Sequence, residues 1–316
     1  MLLAAVLILL LTSGCSKQSA PAEAPVTETV PAEALETDDE EEWESSIEYG
    51  GKTYVKNRDL KTVLFLGIDN KDSGGDQIGR NGRSDTIILM LLNREEKTVR
   101  MLEISRDTMM DVDVYNNDGK KAFTSFMQLC MQYSYGDSPS KGCRLTKNKV
   151  SELLYGMNID YTLALSVEGV SIIVDALGGI DMTLPEDCTQ VDPTYVKGAQ
   201  VHLDGKQAER FVRSRDTRSG GNDERMERQN WFLLELVRQI KNNRGISTAR
   251  LMDIAAPYLE TDLDVDTLDL LRNCTLSAES VKVPGQARMG EAHDEYYVDD
   301  QALREMVVEL FYLPEA

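Results

Sequence analysis

Thr62-Val-Leu-Phe-Leu-Gly-Ile68 is an unbroken apolar run that stops at Asp69. Its length and its lack of polar alternation predict a strand covered on both faces, in the middle of a sheet. Thr86-Ile-Ile-Leu-Met-Leu-Leu92 has the same character, and Val99-Arg-Met-Leu-Glu-Ile104 alternates as a third strand, with Asn93 to Thr98 as the turn. Outward from these three, helical stretches are expected around Phe123 to Tyr135 and from Lys147 to Tyr155, then a strand from Tyr161 to Val167. Glu168 to Leu177 reads as a helix stopped by Gly178-Gly179. Lys206 to Arg213 and Arg225 to Lys241 read as two more, the second with Trp231, Leu234, Val237 and Ile240 facing inward. After Pro257 the elements shorten, ending in a helix from Asp300 to Phe311, and no internal repeat is visible. Strands alternating with helices predict an α/β fold: a layered, α-β-α-like single domain with a mixed central sheet. Residues 60–258 would form it, with 259–316 as an extension packed on it.

The N-terminal residues 1–15 read as an export signal. Leu2 to Leu11 are uniformly apolar, which is too short for a stable span of ~20 residues. Small residues then precede Cys15, the pattern of a bacterial lipoprotein cleavage site, with an ordinary secretory signal as the plainer alternative. Lipidation of Cys15 would tether the chain to the extracytoplasmic face of the bacterial cell membrane. Residues 16–59 repeat Pro, Ala, Thr and Glu and predict a disordered acidic linker. Between residues 16 and 50, eleven acids face only Lys17, a net −10 that is half of the chain's −20. That charge argues against a nucleic-acid partner, because phosphate contacts need a basic surface. Cys130, Cys143, Cys188 and Cys274 remain after Cys15 and show no zinc-type spacing. They permit disulfides outside the cell, Cys130 with Cys143 closing a short loop, and equally permit free buried thiols.

Charged residues collect where the predicted strands end. Asp69 closes the first, Gly82-Arg83-Ser84-Asp85 leads into the second, and Ser105-Arg106-Asp107-Thr108 closes the third. Far downstream come Arg213-Ser-Arg215-Asp216 and Arg225-Met-Glu-Arg228-Gln229, with Arg225 and Gln229 on one helical face. Ligands of open α/β sheets bind at strand ends. Guanidinium forks bind phosphate oxygens bidentately, and aspartates hold a magnesium ion that bridges the same oxygens. These are the groups a pyrophosphate site needs. The bland alternative is local salt bridging, Asp85 with Arg83 and Asp216 with Arg213, and for any motif taken alone it is the better reading.

The motifs in order change that balance. Gly67-Ile-Asp69, Gly82-Arg-Ser-Asp-Thr86, Ile104-Ser-Arg-Asp-Thr108, Leu177-Gly-Gly-Ile-Asp181, Leu203-Asp-Gly-Lys-Gln-Ala208, Phe211-Val-Arg-Ser-Arg215 and Arg225-Met-Glu-Arg-Gln229 make a chain that resembles the LytR–CpsA–Psr family. The resemblance runs from about Leu60 to Tyr258. It implies an extracytoplasmic phosphotransferase that moves a glycopolymer from a polyprenyl pyrophosphate carrier onto peptidoglycan. By the same resemblance Asp69 and Asp85 match the positions around Mg2+, and Arg83, Arg106, Arg213, Arg215 and Arg225 those around the pyrophosphate. Asp107 and Gln229 lie in the same motifs, and Asp107 beside Arg106 is the candidate acceptor of the attacking hydroxyl's proton. The carrier's tail needs an apolar slot, for which helices carrying Phe123, Phe126, Leu129, Leu153 and Leu154 are the candidates, plain core being the favoured reading for most of these residues.

This chain departs from the family pattern at Ser105, where proline is common, and at Gln128-Leu-Cys130, where many members read Lys-Ile-Asn. Lys120 or Lys121 is the candidate replacement for that lysine. Two other functions use the same groups: a metal-dependent pyrophosphatase, and a polyprenyl-phosphate-binding module indifferent to magnesium. The family's older label of transcriptional attenuator conflicts with the export signal and the charge. If Cys15 carries the anchor, Cys15→Ala releases the protein from membranes into the medium, as fractionation of expressing cells will show; unchanged retention would contradict a lipid anchor.

Overall fold

The computed structural model describes residues 45–69, 78–79, 82–214, 221–243, 245–277, 280–291 and 293–315. Cys15, the expected signal, the linker up to residue 44, and Arg215 lie outside the described residues. The three strands that opened the sequence reading are β3 (Leu60–Ile68), β4 (Ser84–Asn93) and β5 (Thr98–Ile104), joined antiparallel as the centre of a mixed sheet. β8 (Tyr161–Ser166) runs parallel to β3, and β11 (Leu259–Thr261) closes that side antiparallel to β8. On the far side β12 (Thr275–Leu276) and β13 (Val281–Lys282) lie parallel to β5.

Strand alternation divides the core into two layers. Val63, Phe65, Ile88, Met90 and Met101 face α3 (Val167–Leu177), α4 (Gly205–Arg213), α5 (Gly221–Asn242) and α6 (Thr248–Ala255). Leu64, Leu66, Ile87, Leu89 and Leu102 face α1 (Met131–Ser134), α2 (Pro139–Leu153) and α8 (Asp300–Phe311). Both faces of the central strands are therefore dry, which is why their sequences carry no polar alternation.

Two of the quoted motifs are scaffold. Gly178 ends α3 in the left-handed region at φ 83°, which suits a residue without Cβ. Asp204 and Gln207 form a capping box that starts α4, after the hairpin of β9 (Ile180–Thr183) and β10 (Gln200–Leu203). Gly205 lets that helix approach α3: a Cβ there would stand 2.3 Å from the Ser171 carbonyl oxygen. The Gly205 amide also donates to Asp175 Oδ1 at 2.8 Å.

Four expectations need correction. The stretch from Phe123 to Tyr135 is not a helix: β6 (Met109–Tyr115) and β7 (Lys121–Gln128) form a hairpin, and only Met131–Ser134 turns helically. Regular structure precedes Leu60, because β1 (Ser46–Tyr49) pairs with β2 (Lys52–Lys56) and β2 with β16 (Tyr312–Pro314), so the linker expected through residue 59 is too long. Residues 259–316 are woven into the domain rather than laid on it. They supply β11, β12, β13, α7 (Val265–Asn273), α8 and the hairpin of β14 (Gly285–Met289) and β15 (Asp294–Val298). In α5 the deepest side chains are Phe232, Leu233 and Leu236, with Trp231, Leu234, Val237 and Ile240 half-buried on the flanks. The four cysteines in the described residues are free and buried.

Gly205→Ala should destabilise the domain by about 1–3 kcal/mol, since backbone must yield to the added methyl. Urea unfolding will measure it, and an unchanged midpoint would show that the α3–α4 contact is slack.

Candidate active site

The register between β3 and β4 breaks at the site. Gly67 pairs with Thr86 but Ile68 pairs with Ser84, so Asp85 is an extra residue opposite the end of β3. A bulge of this kind re-aims a side chain. Here it lets both Asp85 and Thr86 line one cavity, where strict alternation would send them to opposite faces. Below the bulge, Asp69 and Arg83 are tied twice. The Asp69 amide donates to the Arg83 carbonyl at 3.1 Å, and the Arg83 amide donates to Asp69 Oδ1 at 2.7 Å.

Asp85 is the junction of the site. Its Oδ1 accepts a charge-assisted bond from Arg106 Nη1, at the end of β5, and its Oδ2 faces Arg225 Nη1 of α5 at 3.3 Å. Asp85 and Arg106 keep only 12% and 10% of their side-chain surface, and Arg225 keeps 3%. Sequence proximity had suggested Arg83 as the partner of Asp85; the fold brings it Arg106 and Arg225 instead. The Arg83 side chain is exposed.

Around this junction the remaining motif residues hold position. Asp107 Oδ1 lies 3.2 Å from Arg106 Nε, an ion pair without hydrogen-bond alignment, and accepts a 2.5 Å bond from Gln128 Nε2. The same amide nitrogen reaches the Asp294 carbonyl at 2.8 Å. Arg106 Nη2 contacts Cys130 Sγ at 3.2 Å. Burial alone would pull the Arg106 pKa down, but the charges at Cys130, Asp85, Asp107 and Asp69 outweigh it and hold the guanidinium above its ordinary value. Burial likewise pushes the Cys130 thiol up to about 11, against the opposing pull of Arg106.

Gln229 is set by a chain of three contacts. Thr86 Oγ1 donates to Gln229 Oε1 at 2.8 Å, and Gln229 Nε2 donates to the Val212 carbonyl at 3.1 Å. Gly67 makes room for Thr86, since a Cβ there would sit 2.9 Å from the threonine's Cβ and Oγ1. Arg228 was quoted in its motif but given no role. It is 1% exposed, and its Nε donates to the Phe211 carbonyl at 2.7 Å while Nη2 donates to the Ser214 carbonyl. It caps the C-terminal end of α4, where carbonyls lack helical partners. Arg213, on the last turn of that helix, pairs with Glu168 at 3.2 Å and Glu209 at 3.4 Å. Lys121 pairs with Asp113 at 2.8 Å on the β6–β7 hairpin, and no contact joins it to the arginines among the described residues.

A cavity of about 330 Å³ opens at this cluster. Asp69, Asp85, Thr86, Arg213, Arg225 and Gln229 form its polar end, and Phe65, Leu165, Val170, Phe232, Leu233 and Leu236 its apolar body. It lies between the sheet and helices α3 and α5. The residues expected to build an apolar slot are elsewhere: Phe123 and Phe126 are each 57% exposed on the hairpin, while Leu129 and Leu154 are fully buried in the opposite layer. Among the described residues no three His, Cys, Asp or Glu side chains cluster as metal ligands. Asp69 and Asp85 are two carboxylates in one cavity lining, which suits a hard cation only if ligand oxygens complete its shell.

The α/β domain thus carries a guanidinium–carboxylate cluster at its strand ends, beside a cavity lined by both charged and apolar side chains. The profile of the LytR_cpsA_psr family matches residues 25–311, and the protein belongs to that family. The polyisoprenyl-teichoic acid–peptidoglycan teichoic acid transferase TagU of Oceanobacillus iheyensis is 28% identical over 217 residues, 68% of this chain and 63% of that relative. The solved structure of the Lin1025 protein from Listeria innocua is 26% identical with a TM-score of 0.56, covering 80% of this chain and 97% of that one. A structure described as TagT bound to LI-WTA shares the fold at a TM-score of 0.60 and 23% identity, covering 80% and 90%.

The buried thiols give the domain an alkaline limit. Burial raises Cys130 from 9.0 to about 11 and Cys143 from 9.0 to about 12. Above pH 9 the unfolded chain loses these protons while the folded one keeps them, so stability present below pH 9 is lost progressively as pH rises toward 11 and 12. Urea unfolding from pH 8 to 11 should show that decline, and a Cys130→Ala, Cys143→Ala variant should show a shallower one.

Proposed function

We propose that the protein is an extracytoplasmic phosphotransferase that moves a glycopolymer from a polyprenyl pyrophosphate carrier to peptidoglycan, held on the outer face of the cell membrane through a lipid on Cys15. The observation that carries this reading is the union of two chemistries in one cavity: Arg225, Arg213, Asp85 and Asp69 share its lining with Phe65, Leu165, Phe232 and Leu236. A polyprenyl pyrophosphate has that same division, an anionic head and a hydrocarbon tail. The names of the curated relatives support the choice of a teichoic-acid-like glycopolymer as cargo.

In this reading a peptidoglycan hydroxyl attacks the phosphorus that bears the glycan. The new P–O bond forms as the bond to the bridging oxygen breaks, polyprenyl phosphate leaves, and the hydroxyl proton passes to solvent or a nearby base. Arg106 and Arg225 neutralise the charge on the phosphoryl oxygens, which are the main demand of such a transfer. Asp85, in the cavity lining, holds Arg225 in the same lining and Arg106 directly beside it before the anion arrives. Asp107 is 4% exposed and committed to Arg106 and Gln128, geometry that supports positioning of Arg106 over proton transfer. Gln229, fixed between Thr86 and the Val212 carbonyl, presents a neutral polar edge to the same space. Mg2+ held by Asp69 and Asp85 together with the pyrophosphate would supply further charge neutralisation there.

Transfer from a synthetic carrier-linked glycan to a peptidoglycan fragment tests this reading. Arg106→Lys should lower it by about 10²-fold, because a point charge cannot reproduce the fork, while Arg250→Lys, on the exposed face of α6, should leave it intact. Chelation should abolish transfer and leave the carrier bound; transfer at full rate in chelator would remove the metal from the mechanism. Glycan release at the same rate without acceptor would make the protein a pyrophosphatase.

A further inference from the structure

A second cavity, about 190 Å³, lies on the other face of the sheet at the same strand ends. Ile68 lines both cavities, and Asp69, the next residue, lines the first. Along β8 the residues divide between them: Leu165 lines the first, Ala164 and Ser166 the second. Ser166 is the register partner of Ile68 in the parallel pair, so the second cavity begins one strand spacing, about 4.8 Å, from the end of β3.

The floor of this cavity is buried: Ile68, Tyr133, Ala164 and Ser166 are each less than a tenth exposed. Its rim, with Pro257, Tyr258 and Glu260, reaches solvent. Ser166 is the N-cap of α3, a position where serine spends its hydroxyl on a backbone amide of the first turn. Ser138 and Ser247 do so for α2 and α6. Ser166 makes no such bond, and its buried Oγ has no hydrogen-bond partner among the described residues. Buried hydroxyls are rarely left in that state unless something else meets them.

The lining decides the chemistry. Among the described residues no lysine or arginine lines this cavity, which sets it apart from the first and argues against a second phosphate site. Two tyrosines, two prolines and Ile68 offer flat apolar surface, while Ser166 and Glu260 offer hydrogen bonds to hydroxyls and amides. A neutral saccharide ring presents those two characters together, C–H faces and polar edges. We infer that this pocket binds a sugar of the acceptor glycan, entering from the face of the sheet opposite the lipid carrier. The inference rests on the transferase reading for the identity of the acceptor, but the site itself is independent of it.

The test uses the full chain and a neutral disaccharide of N-acetylated aminosugars, titrated by heteronuclear NMR, with a short-chain polyprenyl pyrophosphate titrated separately. The wild type should bind the disaccharide with shifts at Ser166, Tyr258 and Glu260. Ser166→Val and Glu260→Gln should each weaken it roughly tenfold, the loss of about one good hydrogen bond, with pyrophosphate binding unchanged. Glu260 lies at the rim, so its variant remains informative if Ser166→Val lowers stability. Absence of disaccharide binding, variants that bind it like wild type, or parallel loss of both ligands would overturn the pocket's assignment. If both ligands bind as expected and no glycan is transferred, the pocket stands and the transferase reading falls.

Discussion

The site is organised by a carboxylate held between two guanidiniums. Asp85 meets Arg106 from β5 and Arg225 from α5, so one side chain ties the central sheet to the helical layer above it. All three groups are largely out of water, and each carries a desolvation cost that its charged partners help offset. Removing one partner of such a cluster typically costs about 3–5 kcal/mol, because the remaining charge stays buried. The bulge opposite the end of β3 is what makes the meeting possible, since it turns Asp85 into the layer where α5 lies. Asp107 also lies against Arg106, so two carboxylates balance the two arginines, and Arg225 reaches the cavity lining beside Asp85 and Asp69.

Much of the motif set works at one remove from that anion. Gly67 has no Cβ, Thr86 fills the space, and Gln229 is fixed by Thr86 on one side and the Val212 carbonyl on the other. Arg228 gives its donors to the carbonyls that end α4, the helix that carries Arg213. Thus Arg225, Arg228 and Gln229, spaced by three, four and one residues on α5, do different jobs. Two face the cavity and one, fully buried, locks the neighbouring helix. A count of arginines near the motifs does not distinguish these roles; the hydrogen-bond partners do.

The sequence was most legible where both faces of an element are buried. Thr62 to Ile68 and Thr86 to Leu92 are apolar throughout because two core layers cover them, and they fall inside β3 and β4. The strand-end clustering of Asp69, Asp85 and Arg106 followed from those boundaries. Legibility failed on the β6–β7 hairpin, where Phe123, Phe126 and Leu129 repeat every third residue and imitate a helical stripe. Two of those three are exposed, so burial never imposed the alternation that marks a strand. The cavity was misplaced for a related reason. Its walls come from β3, β8, α3 and α5, and no local pattern announces that their side chains enclose a space. Gln128 shows the opposite case: its contact with Asp107 lies within the hairpin's own neighbourhood, yet only the fold reveals that a neutral amide holds the carboxylate.

The sheet also solves a solvation problem that the proposed reaction poses. A polyprenyl tail gains by leaving water, at roughly 25 cal/mol per Å² of apolar surface, and needs a dry channel. A saccharide loses by the same transfer unless every hydroxyl finds a partner. One cavity cannot serve both without compromising one of them. Opposite faces of a single sheet can, because alternate residues of β8 line different spaces while remaining one residue apart. Leu165 lines the first cavity and Ser166 the second, and the end of β3 lies beside them both. The sheet then keeps the two environments apart everywhere except at its strand ends, which is where Asp69, Asp85 and Arg106 are found.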